Sequence, residues 1–197
     1  FRIDDSEVTA PKWMSGVGRL MLLGNRCSAV LVRLPGNTES TTAISAKHCV
    51  DEALFDAGDL KNNKIKKHQE LKARFRLSNG AYLERPLNIV SRSGKKTGAD
   101  WVVFNFKESI KVDDAYSFEI SPDSTPYFMD KEYAVGYSTF KWTPSSSYGN
   151  VLSYNPECKF EALLKASGGD VVRVTNCEMS QGASGGAYVG LSPLEGS

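Results

Sequence analysis

The stretch N-C-E-M-S-Q-G-A-S-G-G-A-Y-V, residues 176 to 189, sets Ser184 between Gly182 on one side and Gly185 and Gly186 on the other. A serine hydroxyl is a weak nucleophile. Attack on an amide needs a base to take its proton and backbone N–H groups to hold the negative charge that develops on the carbonyl oxygen. A tight glycine-containing turn lets such groups converge, and the amides of Gly182 and Ser184 are expected to form that oxyanion hole. Glycine and serine are also ordinary turn formers, so this segment alone reads equally well as a plain turn.

Two further segments bear on the choice. T-A-I-S-A-K-H-C-V, residues 42 to 50, places His48 directly before Cys49 after a short apolar strand. G-A-D-W-V-V-F-N-F, residues 98 to 106, opens an apolar strand with Asp100. A carboxylate at the edge of a buried strand needs a partner; one ring nitrogen of His48 would supply it while the carboxylate fixes the tautomer of the base. Taken singly, His48 reads as a structural or exposed histidine and Asp100 as a turn residue.

Together, in the order His, Asp, Ser, the three segments resemble the trypsin-like serine proteases of the chymotrypsin fold. Ile44 to Cys49 is similar to that family's L-T-A-A-H-C block, Asp100 to Val103 to its D-I-A-L block, and Gly182 to Gly186 to its G-D-S-G-G block. Asp4-Asp5, Gly18-Arg19-Leu20, the run from Cys27 to Val32, and Cys177 seven residues before the serine are similar to the bacterial glutamyl-endopeptidase-like branch. The resemblance implies an all-β chain of two packed antiparallel six-stranded barrels. The first spans residues 1–112 and carries His48 and Asp100; the second spans 113–197 and carries Ser184. It also implies disulfides Cys27–Cys49 and Cys158–Cys177, the first giving His48 the rigidity a general base needs. The implied function is a secreted or periplasmic serine endopeptidase that works through an acyl-enzyme, needs no cofactor or metal and acts on protein or peptide substrates.

Composition agrees with that class. The 24 Lys and Arg against 23 Asp and Glu leave a net charge of +1, which gives no global field for nucleic acid or an acidic membrane. No apolar run approaches the roughly 20 residues of a bilayer span, and F-R-I-D-D-S-E-V lacks the layout of a signal peptide, so a mature soluble species is expected. Four cysteines at 27, 49, 158 and 177 lack a C-x-x-C pair and have only His48 and His68 for company, which disfavours zinc. Their number fits an oxidising compartment, and spacing alone permits three pairings.

Strand-length runs recur: 27–33, 73–77, 86–92, 101–107, 132–138, 150–155, 170–176 and 185–190. Helical stretches are few, V-D-E-A-L-F-D-A-G at 50–58 and E-C-K-F-E-A-L-L-K-A at 157–166, and the second reads equally as a strand followed by a loop. The polar, proline-containing segment 108–126 is expected to cross between barrels. The lysine-rich stretch 61–72 reads as a solvated loop, because Glu70 interrupts it and no aromatic residue interleaves for base stacking.

The chain departs from the family in three places. Ala183 stands where the family carries an aspartate that pairs with a freed amino terminus, and Phe1 does not match the family's usual start. Only residues 185 to 197 follow Ser184, so the second barrel is expected to lack its C-terminal strands and helix and to be completed by a cleaved, associated segment. Glu178, Met179 and Gln181 fall on the substrate-binding wall that the family implies. Glu178 is either the acid of a pocket for basic side chains or a loop residue. The alternative function is a catalytically silent homologue that uses the fold for binding.

Overall fold

The computed structural model describes residues 11–21, 26–54, 71–77, 79–93, 100–120, 132–138, 151–158, 160–165, 171–175, 177 and 183–190. A short 3-10 helix (Lys12–Gly16) leads into β1 (Val17–Met21), β2 (Arg26–Arg33) and β3 (Glu39–Ser45), followed by α1 (His48–Leu54). Then come β4 (Lys72–Arg76), β5 (Tyr82–Pro86), β6 (Asn88–Arg92), β7 (Val102–Lys111) and the two-residue β8 (Phe118–Glu119). The remaining strands are β9 (Glu132–Ser138), β10 (Val151–Cys158), β11 (Phe160–Lys165), β12 (Val171–Thr175) and β13 (Ala187–Gly190).

The first sheet runs β5-β4-β1-β2-β3-β7-β6, with β8 pairing parallel to β2. Its two end strands, β5 and β6, are separated in the chain only by Leu87, so the sheet must curl back on itself. Alternation drives the curl: Val102, Phe104 and Phe106 of β7 point inward while Asn105 and Lys107 face solvent. Leu20, Leu31, Phe75, Phe104 and Ile110 meet inside, each contributing on the order of 1.5–3 kcal/mol by leaving water. Glycine is required at position 18, where a Cβ would press against the Phe75 ring and come within 2.9 Å of the Arg74 carbonyl.

Among the described residues the second unit comprises a three-stranded sheet, β10-β9-β13, and a separate β11-β12 ribbon. Its core gathers Met14, Val17, Val135, Tyr137, Leu152 and Val189, so the 3-10 helix and the start of β1 pack with it rather than with the first core. Trp13 and Tyr133 meet with ring centroids 5.6 Å apart at its margin. The all-β expectation holds.

The two helical expectations turn out differently. The described residues within 157–166 are not helical: they carry the end of β10 and the whole of β11, whose partners lie on β9 and β12. The first helix begins at His48 rather than Val50, because the Lys47 carbonyl takes the Val50 and Asp51 amides and the Ala46 carbonyl takes that of Cys49. Residues 55–58 of that reading, and the lysine-rich stretch up to residue 70, lie outside the described residues. Within the segment read as a crossover, β7 continues to Lys111 and β8 pairs with β2. Both expected disulfides form, Cys27–Cys49 with Cα atoms 6.1 Å apart and Cys158–Cys177 with 4.7 Å.

Candidate active site

His48 opens α1, a helix of seven residues too short to persist unaided. Its position comes from outside the helix. Cys49 is pulled into the core and bridged to Cys27 on β2, and Val50 beside it is fully buried. Asp100, just before β7, grips the same turn at two points. One carboxylate oxygen, Oδ1, accepts the His48 backbone N–H at 2.9 Å, and the other, Oδ2, lies 2.5 Å from His48 Nδ1. The Asp100 carbonyl also accepts the Lys47 N–H at 3.3 Å.

A carboxylate against Nδ1 requires the proton there, which leaves the Nε2 lone pair available as a base. Desolvation is the largest influence on the Asp100 carboxyl and pushes it up. The hydrogen bonds from the His48 ring and amide, the imidazolium charge and the Lys47 amide outweigh it together and hold the group below the ordinary aspartate value. Both side chains are about half exposed, His48 at 52% and Asp100 at 50%, so solvent screens the pair.

Ser184 sits in a turn closed by Gly186, whose N–H donates to the Ala183 carbonyl at 2.8 Å. Gly185 has φ +77°, and a Cβ there would collide with Ser45 Oγ and the Ser28 carbonyl. Only glycine meets both demands. The turn is thereby pressed onto the first sheet, where the Ser184 carbonyl accepts the Ser28 N–H at 2.7 Å. Ser28, fully buried, makes two further contacts: its carbonyl accepts Ser45 Oγ at 2.6 Å and its Oγ accepts the Tyr137 N–H of β9 at 2.8 Å. One residue thus ties β2, β3, β9 and the serine turn together.

The two halves of the site meet at the Cys27–Cys49 bridge. Cys49 Sγ lies 3.7 Å from His48 Nε2 and 3.9 Å from the Ser184 carbonyl. No hydrogen bond joins Ser184 Oγ to His48 Nε2 among the described residues. Cys27, Cys49 and His48 cluster closely enough to suggest a metal site, but the two sulfurs are bonded to each other and present no thiolate. Gly182, Glu178, Met179 and Gln181 lie outside the described residues, while Cys177 is seen in its bridge. A groove of about 550 Å³ runs along β13 between Ile44, Trp101, Phe118 and the strand itself, and Asp100 lines it. A second cavity, of about 380 Å³, is lined by Ala134, Val135 and residues 183–188.

Sequence reasoning assigned no role to Ser28 and Ser45. Ser28 carried a signal, as a hydroxyl in the apolar run from Cys27 to Val32, and a buried hydroxyl needs a partner; Ser45, closing the polar run Glu-Ser-Thr-Thr-Ala-Ile-Ser, carried none.

No family model matches the chain, and no curated protein matches it in sequence. Solved structures do. Neuropsin, a serine protease expressed in mouse brain, aligns over 92% of this chain and 79% of its own at 17% identity, with a TM-score of 0.60. The thermostable serine protease AL20 from an extremophilic microorganism aligns over 92% and 81% at 16% identity and 0.56. Human heparin binding protein aligns over 92% and 77% at 8% identity and 0.59. The fold is the chymotrypsin-like double β-barrel. In that double barrel His48 on α1 and Asp100 just before β7 stand beside the first sheet, and Ser184 immediately precedes β13 of the second, where its carbonyl accepts the Ser28 N–H of β2. At such identities the likeness is one of fold, and it does not single out the glutamyl-endopeptidase branch.

Proposed function

We propose that the chain is a serine endopeptidase in which Ser184 is the nucleophile, His48 the general base and Asp100 the residue that orients the base. The observation that carries this reading is the two-point grip of Asp100 on His48, whose Nε2 and the Ser184 carbonyl both lie within 4 Å of Cys49 Sγ. His48 Nε2 takes the Ser184 proton as Oγ attacks the substrate carbonyl, and the N–H groups of Gly182 and Ser184 receive the oxyanion. The protonated ring then gives its proton to the leaving amine, and water, activated by the same nitrogen, releases the acyl group. The 3.7 Å contact between Nε2 and Cys49 Sγ must be exchanged for one to Ser184 Oγ, and such catalytic contacts commonly tighten only once substrate is bound.

Two disulfides suit an extracellular or periplasmic location, and the glutamyl-endopeptidase-like motifs remain part of this proposal. So do the substrate roles of Glu178, Met179 and Gln181. The proposal includes a further associated segment that completes the second barrel: among the described residues β13 pairs only with β9, and an open strand edge demands cover. Native mass spectrometry should reveal that segment as a copurifying peptide.

The decisive test is a fluorophosphonate probe on the complete protein. Labelling should map to Ser184 and vanish in Ser184→Ala; labelling that survives the substitution refutes the assignment. The missing contact between Ser184 Oγ and His48 favours a second reading, a silent homologue that binds without cleaving. Failure of the intact protein to cleave any member of a broad peptide library would select it.

A further inference from the structure

We propose that Asp51 and Arg92 form a second brace, parallel to the His48–Asp100 pair, that holds the imidazole against its carboxylate; both are positioning residues. The idea rests on the proposed role of His48 as a base. It starts from the geometry of α1. His48 and Asp51 are three residues apart, which places them on one face of the helix. Both reach to the same β6–β7 hairpin. His48 Nδ1 meets Asp100 Oδ2 at 2.5 Å, at the entrance to β7, and Asp51 Oδ1 meets Arg92 Nη1 at 2.5 Å, at the end of β6.

The hairpin is rigid at that place. Arg92 is paired with Val102, and one residue further on the Ser93 N–H donates to the Trp101 carbonyl at 2.9 Å while the Trp101 N–H donates to Ser93 Oγ at 3.2 Å. Two side-chain struts therefore connect the same two bodies. Asp100 and the Cys49 bridge hold the chain only at residues 47 to 49, where the helix starts, and the Asp51–Arg92 pair adds a hold further along it.

The second strut is also the better shielded. The Arg92 and Asp51 side chains are 10% and 21% exposed, against 52% and 50% for His48 and Asp100, so water screens the brace less than the pair it supports. Lys47 Nζ, 3.5 Å away, holds the other oxygen of Asp51, and the Lys47 backbone N–H meets the Asp100 carbonyl. Asp51 is thus fixed at both oxygens, and its cations connect to the hairpin directly and to the turn that Asp100 grips.

The test reads His48 itself in the complete protein, without substrate. Proton NMR of the His48 Nδ1–H, assigned by its loss in His48→Gln and distinguished thereby from His68, gives its exchange rate with solvent. In Asp51→Asn and in Arg92→Gln that exchange should quicken about tenfold, and kcat for peptide cleavage should fall about tenfold while KM stays within about twofold. Asp51→Glu should recover most of both. If the two breaking variants fail to fold, Arg92→Lys, which keeps the charge but not the planar fork, should still quicken exchange measurably. A melting temperature that falls while exchange is unchanged overturns the proposal, as does unchanged exchange in Arg92→Lys when the other two do not fold. A protein that cleaves nothing refutes the peptidase reading alone and leaves the brace to be decided by the NMR signal.

Discussion

The sheet beside His48 and Asp100 and the sheet that Ser184 leads into differ in how they come by their rigidity. The first has a seven-strand path whose ends are one residue apart, a core with Phe75 and Phe104 fully buried, and a disulfide from strand to helix. The second, among the described residues, has three strands and a smaller core that borrows Met14 from the 3-10 helix and Val17 from the start of β1. The serine turn gains definition from the other unit, through Ser28 and the close approach of Gly185 to Ser45. His48 and Asp100, the proposed base and its orienting acid, are thus local to one barrel, whereas Ser184, the proposed nucleophile, is placed by contact between barrels.

Four perturbations should break or sharpen that contrast. Phe104→Ala, in the first core, should cost about 3–5 kcal/mol and unfold both halves together, whereas a truncation of the same kind at Val135, in the smaller core, should cost less; urea titration followed by the tryptophan signal measures both. Next comes Gly185→Ala. The left-handed backbone there costs about 1–3 kcal/mol for a side chain, and its Cβ must displace Ser45 or β2. Hydrolysis and probe labelling should be lost while the His48 Nδ1–H signal persists; loss of that signal too would show that the barrels are not separable in this way.

Ser28→Ala is gentler, since it leaves the Ser184 contact to the backbone N–H but strips the Tyr137 N–H of its acceptor. An unpaired buried donor costs about 1–3 kcal/mol, and thermal denaturation should show a loss of that size. The smallest effect is that of pH on Asp100. Its carboxyl binds a proton less readily folded than unfolded, so its contribution to stability is complete above the ordinary aspartate value and is lost as the pH falls through the lower folded one. The stability difference between wild type and Asp100→Asn should therefore be present at neutral pH and shrink under strongly acidic conditions; a difference that grows on acidification would reverse the assigned direction.

Much of this was legible in the sequence where a pattern is local. The strand at 132–138 has the bounds that its run of Glu132 to Ser138 implies, and the His48 and Asp100 segments fall next to β3 and β7 as their apolar runs require. Residues 157–166 were ambiguous because Phe160, Ala162, Leu163 and Leu164 satisfy neither period cleanly; pairing with β12 decides the matter, and pairing is not local. β8 is two residues long and carries no periodicity at all. Asp51 and Arg92 were invisible as a pair, since two charges 41 residues apart in an ordinary polar background have no spacing to announce them.

The Cys27–Cys49 bond has one more consequence. Ser28, which holds the serine turn, follows one of its cysteines, and His48, which holds the acid, precedes the other. A machinist would call the bond the datum: both halves of the site are dimensioned from one covalent reference, so errors elsewhere in either barrel do not accumulate between them. A thiol reductant that reaches this bond should accordingly end fluorophosphonate labelling before it melts the barrels, and labelling and thermal denaturation of one sample would separate the two effects.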